Sequence, residues 1–159
     1  MEILFNFPLI AALFAIFFAQ FVKVPIHFIA IRELDWSLIT STGGMPSSHS
    51  AAVTALATAV GLEEGFHSSI FAVAAILAVI TMFDATGVRR AAGEQATVLN
   101  KLVVDFNRFV TEAKDWPQAQ EKEKIKKLKE LLGHKPIEVF FGGLTGILMT
   151  LLLYYLFMM

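Results

Sequence analysis

The chain contains no cysteine, which excludes disulfide bonds and thiolate metal sites but carries no information about its cellular compartment. Charged residues are also scarce: they make up 17% of the 159 residues, whereas 56% are hydrophobic. A soluble domain of this size could not bury so much apolar surface in one core, so lipid is the expected solvent. No His, Cys or carboxylate cluster has the spacing of a metal site, and we expect no metal, no other cofactor and no nucleic-acid partner.

Long runs without charge set the expected fold. They cover residues 3–22, 46–62, 68–83 and 139–159. The first and last are long enough to cross a hydrocarbon core of about 30 Å, whereas the middle two are short. We therefore predict an all-α, polytopic transmembrane helical bundle of about four spans that forms one membrane domain over 1–159. A buried helical hairpin in a soluble protein is the alternative interpretation of the two shorter runs.

Positive charge is absent from three parts of this layout. The N-terminus, the turn around residues 63–67 and the C-terminus carry no Lys or Arg, and all 13 of these residues lie in the connections 23–45 and 84–138. These connections share one side in a four-span protein, so the positive-inside rule predicts a multi-pass cell-membrane protein with both in the cytoplasm. Without a basic region before it or a small-residue cleavage site, the first run is interpreted as a retained helix.

Two further segments are amphipathic or interfacial in character. The apolar residues 24–31 are too few to cross a bilayer, and we interpret them as an interfacial or re-entrant piece. Apolar residues recur at helical spacing over 97–113, and a thinner stripe follows within 120–130. We predict a helical cytoplasmic insertion over 91–132, either packed on the bundle as a cap or held against anionic lipid headgroups.

Polar residues concentrate where the spans meet the predicted cytoplasmic side. The string Gly-Met-Pro-Ser-Ser-His-Ser at 44–50 enters the second run, and its glycines, Pro46 and serines suit either a phosphate seat at a helix start or an ordinary N-capping loop. After the third run comes Asp-Ala-Thr-Gly-Val-Arg-Arg at 84–90. Arg89 and Arg90 suit forked recognition of phosphate oxygens, and they equally suit an ordinary membrane boundary.

The third polar cluster opens the last run. Pro136 suits the first turn of a helix, which places His134 just before it and Glu138 in its first turn. At this spacing the carboxylate can hold one imidazole nitrogen and leave the other free. The glycines at 142, 143 and 146 form a small-residue face that indicates close helix packing or a homodimer.

These three clusters resemble, in order, the signature of the type-2 phosphatidic acid phosphatase superfamily, which includes the vanadium-dependent haloperoxidases. The whole chain resembles its divergent branch of small membrane proteins, in which the strings at 44–50 and 84–90 recur. The Pro-Ser-Gly-His motif of the superfamily is similar to residues 46–49, with Ser48 in place of glycine. The final motif is similar to His134 with Glu138 in place of aspartate, followed by Gly142 and Gly143.

The resemblance implies a membrane-embedded, metal-independent phosphatase or phosphotransferase that acts on a lipid phosphate or pyrophosphate. His134 would form a phosphohistidine, Glu138 would orient it, and His49 would protonate the leaving group. The implied phosphate ligands are Lys23, Arg32, Ser47, Ser48, Arg89 and Arg90. Two rival functions stay open: a non-catalytic protein that binds or moves lipid phosphates, and a dimeric interaction protein of the membrane.

Overall fold

The computed structural model describes residues 6–41, 43–112, 128 and 133–158, and the described part of the chain is all-α. Its helices are α1 (Phe7–Ile31), α2 (Ser48–Glu64), α3 (Ser69–Thr86), α4 (Val88–Glu112) and α5 (Pro136–Met158), with a short 3-10 helix at Trp36–Thr40. The four runs without charge correspond to α1, α2, α3 and α5. The expected fold class, an all-α membrane helical protein, is therefore confirmed.

Among the described residues, three helical stretches are long and apolar enough to cross a membrane by length and composition. They are Phe7–Ile31, the apolar part of Ser69–Phe109 and Pro136–Phe157. The exact number of spans therefore differs from the sequence expectation at one helix, α2. This helix has 17 residues and is less apolar than α1, α3 and α5.

Helix α2 lies in the centre of the bundle. It packs against α1, α3 and α5, and none of the residues 48–62 is exposed. Its contacts are made by small side chains: Ala51 and Ala55 are fully buried and form a core with Ala15 and Ala19 of α1. Because its neighbours surround α2, it needs no lipid-facing apolar surface, which explains how a Ser-, Thr- and Ala-rich helix fits within this fold.

The small-residue face of α5 packs against α2. A Cβ atom at Gly142 would overlap the carbonyl oxygen of Ser47, and one at Gly146 would overlap that of Ala51. Thr54 on α2 adds a hydrogen bond from Oγ1 to the carbonyl of Gly143 at 3.0 Å. The structure thus uses these glycines for close packing of α5 against α2 inside one chain, and the homodimer stays a prediction.

The end of α1 differs from the sequence expectation. Residues 24–31 do not form a separate interfacial or re-entrant piece; they continue α1 through Pro25 to Ile31. A proline removes one backbone donor from a helix, and the remaining hydrogen bonds carry the helix past it. The helix ends at Arg32, which has a left-handed φ of 64° and donates its N–H to the carbonyl of Phe28.

Helix α4 confirms an amphipathic helix after the third run, although it begins at Val88 rather than near residue 97. Only Gly87 separates it from α3, and it packs against the end of α3. Its apolar side chains Val98, Leu102, Phe106 and Phe109 are exposed. The second predicted stripe, within 120–130, lies outside the described residues except for Leu128. The N–H of Leu128 donates to Oδ1 of Asn100, and its carbonyl accepts from Nδ2 of Asn100.

Candidate functional site

Four helix ends meet at one end of the bundle and bring the three polar clusters of the sequence together. The N–H of Ser47, just before α2, donates to the carbonyl of Glu138 in α5 at 3.0 Å. The N–H of His134, just before α5, donates to the carbonyl of Ala85 in α3 at 2.9 Å. Residues far apart in the chain therefore share one polar site, and these backbone bonds hold its walls together.

His134 occupies the centre of this site, with 2% of its surface exposed. Its Nδ1 lies 3.1 Å from Oε2 of Glu138, which also accepts the backbone N–H of Lys135 at 3.1 Å. The structure thus contains the contact that the sequence spacing predicts. Within the described part of the chain the buried Nε2 has no hydrogen-bond partner, so it is the nitrogen available to a ligand.

The environment of His134 favours its neutral form. Burial lowers the pKa of the imidazole below its usual value because the charged form loses solvation, and the positive charges of Lys23 and Arg89 act in the same direction. Glu138 opposes them through its hydrogen bond and its charge. A neutral imidazole with one nitrogen held by a carboxylate can use the lone pair of the other nitrogen as a nucleophile.

A second imidazole faces His134. The ring centroids of His49 and His134 are 6.1 Å apart, and the planes are inclined by 60°. His49 belongs to the first turn of α2, which Ser47 caps by accepting the N–H of Ser50 at 3.3 Å. Tilted rings at this separation are direct neighbours. Two neighbouring imidazoles can exchange protons with a group bound beside both of them.

Lys23 supplies a buried positive charge from α1. Its side chain is 2% exposed, and Nζ donates to the carbonyl of Ser41 at 3.2 Å. The charges of Lys23 and Glu138 interact, and that of Lys23 also acts on both imidazole rings. A lysine this deep in an apolar bundle costs desolvation energy, which the carbonyl of Ser41 and the charge of Glu138 offset in part.

The two arginines of the second cluster differ in their partners. Arg89 pairs through Nε with Oδ2 of Asp84 at 2.6 Å, and its charge acts on both imidazole rings. Arg90 instead pairs with Glu94 at 3.0 Å, one turn further along α4. The structure therefore brings Arg89 to the histidines and directs the Arg90 side chain along α4.

The two serines next to His49 also differ. The side chain of Ser47 is fully buried, and its Oγ accepts from the N–H of Ser50 and from the hydroxyl of Ser50. With its own N–H bonded to Glu138, Ser47 is engaged as a joint between α2 and α5. Ser48 and His49 follow at the start of α2, where backbone N–H groups have no partner within the helix.

Arg32 is not brought to the histidines. It caps the end of α1, is exposed, and lies nine residues beyond Lys23, which corresponds to about 13 Å along a helix. Of the two basic residues that the resemblance implied for the first motif, the structure therefore places only Lys23 in the site. The reason is that residues 24–31 continue α1 instead of turning back.

Sequence reasoning missed three residues that hold this site in place. Asp84 pairs with Arg89, and Ser41 and Ala85 accept hydrogen bonds from Lys23 and His134 through their carbonyl groups. The pairing of Asp84 could have been predicted from the sequence, because an acidic residue five positions before an arginine at a helix junction can form an ion pair with it. The roles of Ser41 and Ala85 could not be predicted, because every residue has a backbone carbonyl and the type of side chain does not reveal which one accepts a hydrogen bond.

Fold and site together define the class: an all-α membrane protein with two histidines, one of them buried and held by a carboxylate, beside buried positive charge. The chain belongs to the Divergent PAP2 family, whose model matches residues 4–149. The resemblance to a divergent branch of the phosphatidic acid phosphatase superfamily is thereby supported. The chain is also 77% identical over 158 residues to the "Uncharacterized membrane protein YuiD" of Bacillus subtilis (strain 168), covering 99% of this chain and 100% of that protein. No solved structure gives a significant match.

Proposed function

We propose that the chain is a membrane-embedded phosphatase or phosphotransferase that acts on a lipid phosphate or pyrophosphate through a phosphohistidine. The observation that carries this proposal is the state of His134: buried, held at Nδ1 by Glu138, and without a partner at Nε2. Membership of the Divergent PAP2 family supports the same class of chemistry. The proposed reaction requires no metal, because the cationic side chains of the site can stabilise the charge of the phosphoryl group.

In the first step, the Nε2 lone pair of His134 attacks phosphorus, an N–P bond forms, and the bond from phosphorus to the ester oxygen breaks. Glu138 stabilises the positive charge that develops on the imidazole. The phosphate dianion favours the protonated form of His49, which donates its proton to the leaving alkoxide. In the second step, His49 takes a proton from water or an acceptor alcohol, whose oxygen attacks phosphorus and releases His134.

Charge on the phosphoryl oxygens grows or shifts during both steps, and the site has groups placed to stabilise it. Lys23 supplies a buried ammonium, and Arg89 supplies a guanidinium whose charge reaches both imidazoles. The N–H groups of Ser48 and His49 at the start of α2, which have no acceptor within the helix, add donors. In transition-state terms, one donor of this kind contributes about 3 to 4 kcal/mol.

We further propose that α1, α2, α3 and α5 each cross the membrane and that the site faces the cytoplasm. The C-terminal half of α1, through Lys23, lies together with the C-terminal end of α3 and the N-terminal ends of α2 and α5, as four alternating crossings require. The basic connections begin at that same end, which the positive-inside rule assigns to the cytoplasm. A lipid phosphate of the inner leaflet would then present its headgroup at the depth of Lys23.

The enzymatic proposal is tested with purified protein in lipid nanodiscs. Phosphate release is measured from diacylglycerol phosphate, prenyl phosphates and a water-soluble phosphate ester, with and without vanadate. We expect release from a lipid phosphate, inhibition by vanadate, and a loss of at least about 1,000-fold in His134→Ala. The matched control is His67→Ala, because His67 is an exposed histidine in the turn between α2 and α3.

The outcomes separate the rival functions. Turnover that survives in His134→Ala would remove the phosphohistidine mechanism. Thermal stabilisation by vanadate without turnover of any substrate would indicate a protein that only binds lipid phosphates. If the protein shows no turnover and its melting temperature does not shift at millimolar vanadate, the proposed phosphate site itself is overturned.

The orientation is tested separately by single-cysteine labelling, for which a chain without cysteine is well suited. Lys101→Cys on α4 and His67→Cys in the far turn place one thiol at each end of the bundle, and both positions are exposed. We expect an impermeant maleimide to label His67→Cys, and not Lys101→Cys, from outside intact cells. The reverse pattern would contradict a cytoplasmic site.

A further inference from the structure

Arg89 and Arg90 are adjacent in sequence, and both are about half exposed, yet each is held by a different acid. Arg89 Nε pairs with Asp84 Oδ2 at 2.6 Å, whereas Arg90 Nε pairs with Glu94 Oε1 at 3.0 Å. Asp84 lies before the junction at Gly87, and Glu94 lies after it. The two pairs therefore draw the two guanidinium groups toward opposite sides of the junction between α3 and α4.

His134 is bonded to the chain on the Asp84 side of this junction. The residue after Asp84, Ala85, accepts the N–H of His134 at 2.9 Å through its carbonyl oxygen. Gly133, immediately before His134, has a φ of 85° and packs against the backbone of Arg89 and Arg90 so closely that a Cβ atom would overlap it. Asp84 thus holds Arg89 on the short stretch of chain that anchors the buried histidine.

The atom that Asp84 engages determines what the guanidinium can do. Contact through Nε orients the planar group and leaves the pair of N–H bonds at its end, one on each Nη atom, available to another ligand. Those Nη atoms are the ones that grip two oxygens of one phosphate. An ion pair this exposed adds little to stability, since water screens the two charges. Its value lies in the direction that it gives to Arg89.

We propose that Asp84 is a positioning residue, which holds Arg89 through Nε so that its Nη atoms point to the phosphoryl group beside His49 and His134. Arg89, and not Arg90, is then the arginine of this motif that binds the phosphate. The inference rests on the proposed function, because it assigns the geometry of that same site. It also specifies the ligand end as a tetrahedral oxyanion with at least two oxygens free for one arginine.

The test is a double-mutant cycle read out by the vanadate inhibition constant and by kcat and KM for the lipid phosphate. We expect Asp84→Ala to weaken vanadate inhibition and lower kcat/KM by about tenfold, with the melting temperature unchanged. Asp84→Asn, which keeps an oxygen that accepts from Nε, should recover most of this loss. In the Arg89→Ala background, Asp84→Ala should change neither quantity by more than about twofold.

Glu94→Ala is the matched control, because it removes the acid of the neighbouring arginine and leaves Asp84 intact. We expect it to leave vanadate inhibition and kcat/KM unchanged. Equal effects of Glu94→Ala and Asp84→Ala, or an undiminished effect of Asp84→Ala without Arg89, would overturn the inference while the proposed function stands. If the unaltered protein neither releases phosphate nor responds to vanadate, the proposed function fails and this inference fails with it.

Discussion

The two ends of the bundle each carry a histidine, and they are built in different ways. At the far end, the turn between α2 and α3 is closed by local bonds: Ser68 donates its N–H to Gly65 and accepts the N–H of Phe71. His67 is exposed there, and its ring lies beside Gly65 of the same turn. At the site end, His134 is buried and is bonded to residues of two different helices.

This difference is the reason why we place the proposed chemistry at the site end. A connecting turn needs only bonds between near neighbours, and the two bonds of Ser68 are of this kind. The site end adds a buried lysine, an unpartnered imidazole nitrogen and long-range backbone bonds, none of which is needed to join helices. Such costly features persist where the arrangement itself is used.

Among the variants that test this difference between the two ends, the largest effect on turnover is expected at Lys23. Lys23→Met should lower turnover by about 100-fold or more, because it removes a cation that stabilises the transferring phosphoryl group. The melting temperature should stay the same or rise, because a buried ammonium is replaced by an apolar chain of similar length. Phosphate release and thermal unfolding in nanodiscs measure the two quantities.

Lys101→Met, on the exposed surface of α4, is the control for Lys23→Met and should change neither quantity. A variant at Lys23 that unfolds while retaining full activity per folded molecule would show that this lysine is structural.

The glycines of α5 give the next largest effect, and the chain contains its own control for them. Gly142→Ala and Gly146→Ala should each destabilise the protein by about 1 to 3 kcal/mol, because the added methyl group meets the backbone of α2. Gly143→Ala should be tolerated, since its Cβ would lie 3.4 Å from Thr54 Cγ2, near ordinary contact. Reversible unfolding in mixed micelles measures the free energies of unfolding. Equal effects at all three positions would contradict this packing.

Glu138→Gln tests the electrostatics of His134 through the pH dependence of turnover. Attack requires neutral imidazole, so the rate should fall as the pH drops through the pKa of His134, which burial holds below its usual value. Glu138 raises that pKa, so its neutralisation should lower the pKa further and move the acidic limb of the profile to lower pH. The plateau rate should also fall by about tenfold, since the imidazolium-like transition state loses its counter-charge. A shift of the acidic limb to higher pH would contradict this assignment.

The smallest effects compare the two N-caps directly. Ser68→Ala, at the far end, should cost about 1 kcal/mol of stability through the lost cap of α3 and leave turnover unchanged. Ser47→Ala removes the same kind of cap from α2, but it also leaves the buried Ser50 hydroxyl without its acceptor. We expect a larger loss of stability there and a fall in turnover. Indistinguishable variants would contradict the contrast between the two ends.

Much of the fold could be predicted from hydropathy alone, and the exceptions have physical causes. Uncharged runs located α1, α2, α3 and α5, since period and length are local properties of the sequence. The continuation of α1 past Pro25 was missed because a proline predicts a helix boundary, and tertiary packing overrides that preference. The glycine face of α5 indicated close packing, but the sequence could not show that its partner is α2 of the same chain.

The site, like the fold, could be predicted from the sequence only in part. The spacing of His134 and Glu138 predicts their contact, since a residue just before a helix lies next to the first turn of that helix. The choice between Arg89 and Arg90, and between Lys23 and Arg32, depends on where helices end relative to one another. That information comes only from the packed structure, as do the backbone carbonyl acceptors of Ser41 and Ala85.

The central claim is that Nε2 of His134 forms a bond to phosphorus, and the most direct measurement is to trap that bond. His49→Ala is incubated with a lipophilic aryl phosphate, whose leaving group departs without an acid, so the intermediate should accumulate because its hydrolysis lacks a base. The reaction is quenched in alkali, which preserves phosphohistidine, and the protein is digested and mapped by mass spectrometry. We predict one phosphate on the peptide that contains His134 and none in the His49→Ala, His134→Ala double variant. Phosphate on any other residue, or release of the aryl alcohol without phosphate on His134, would contradict the account.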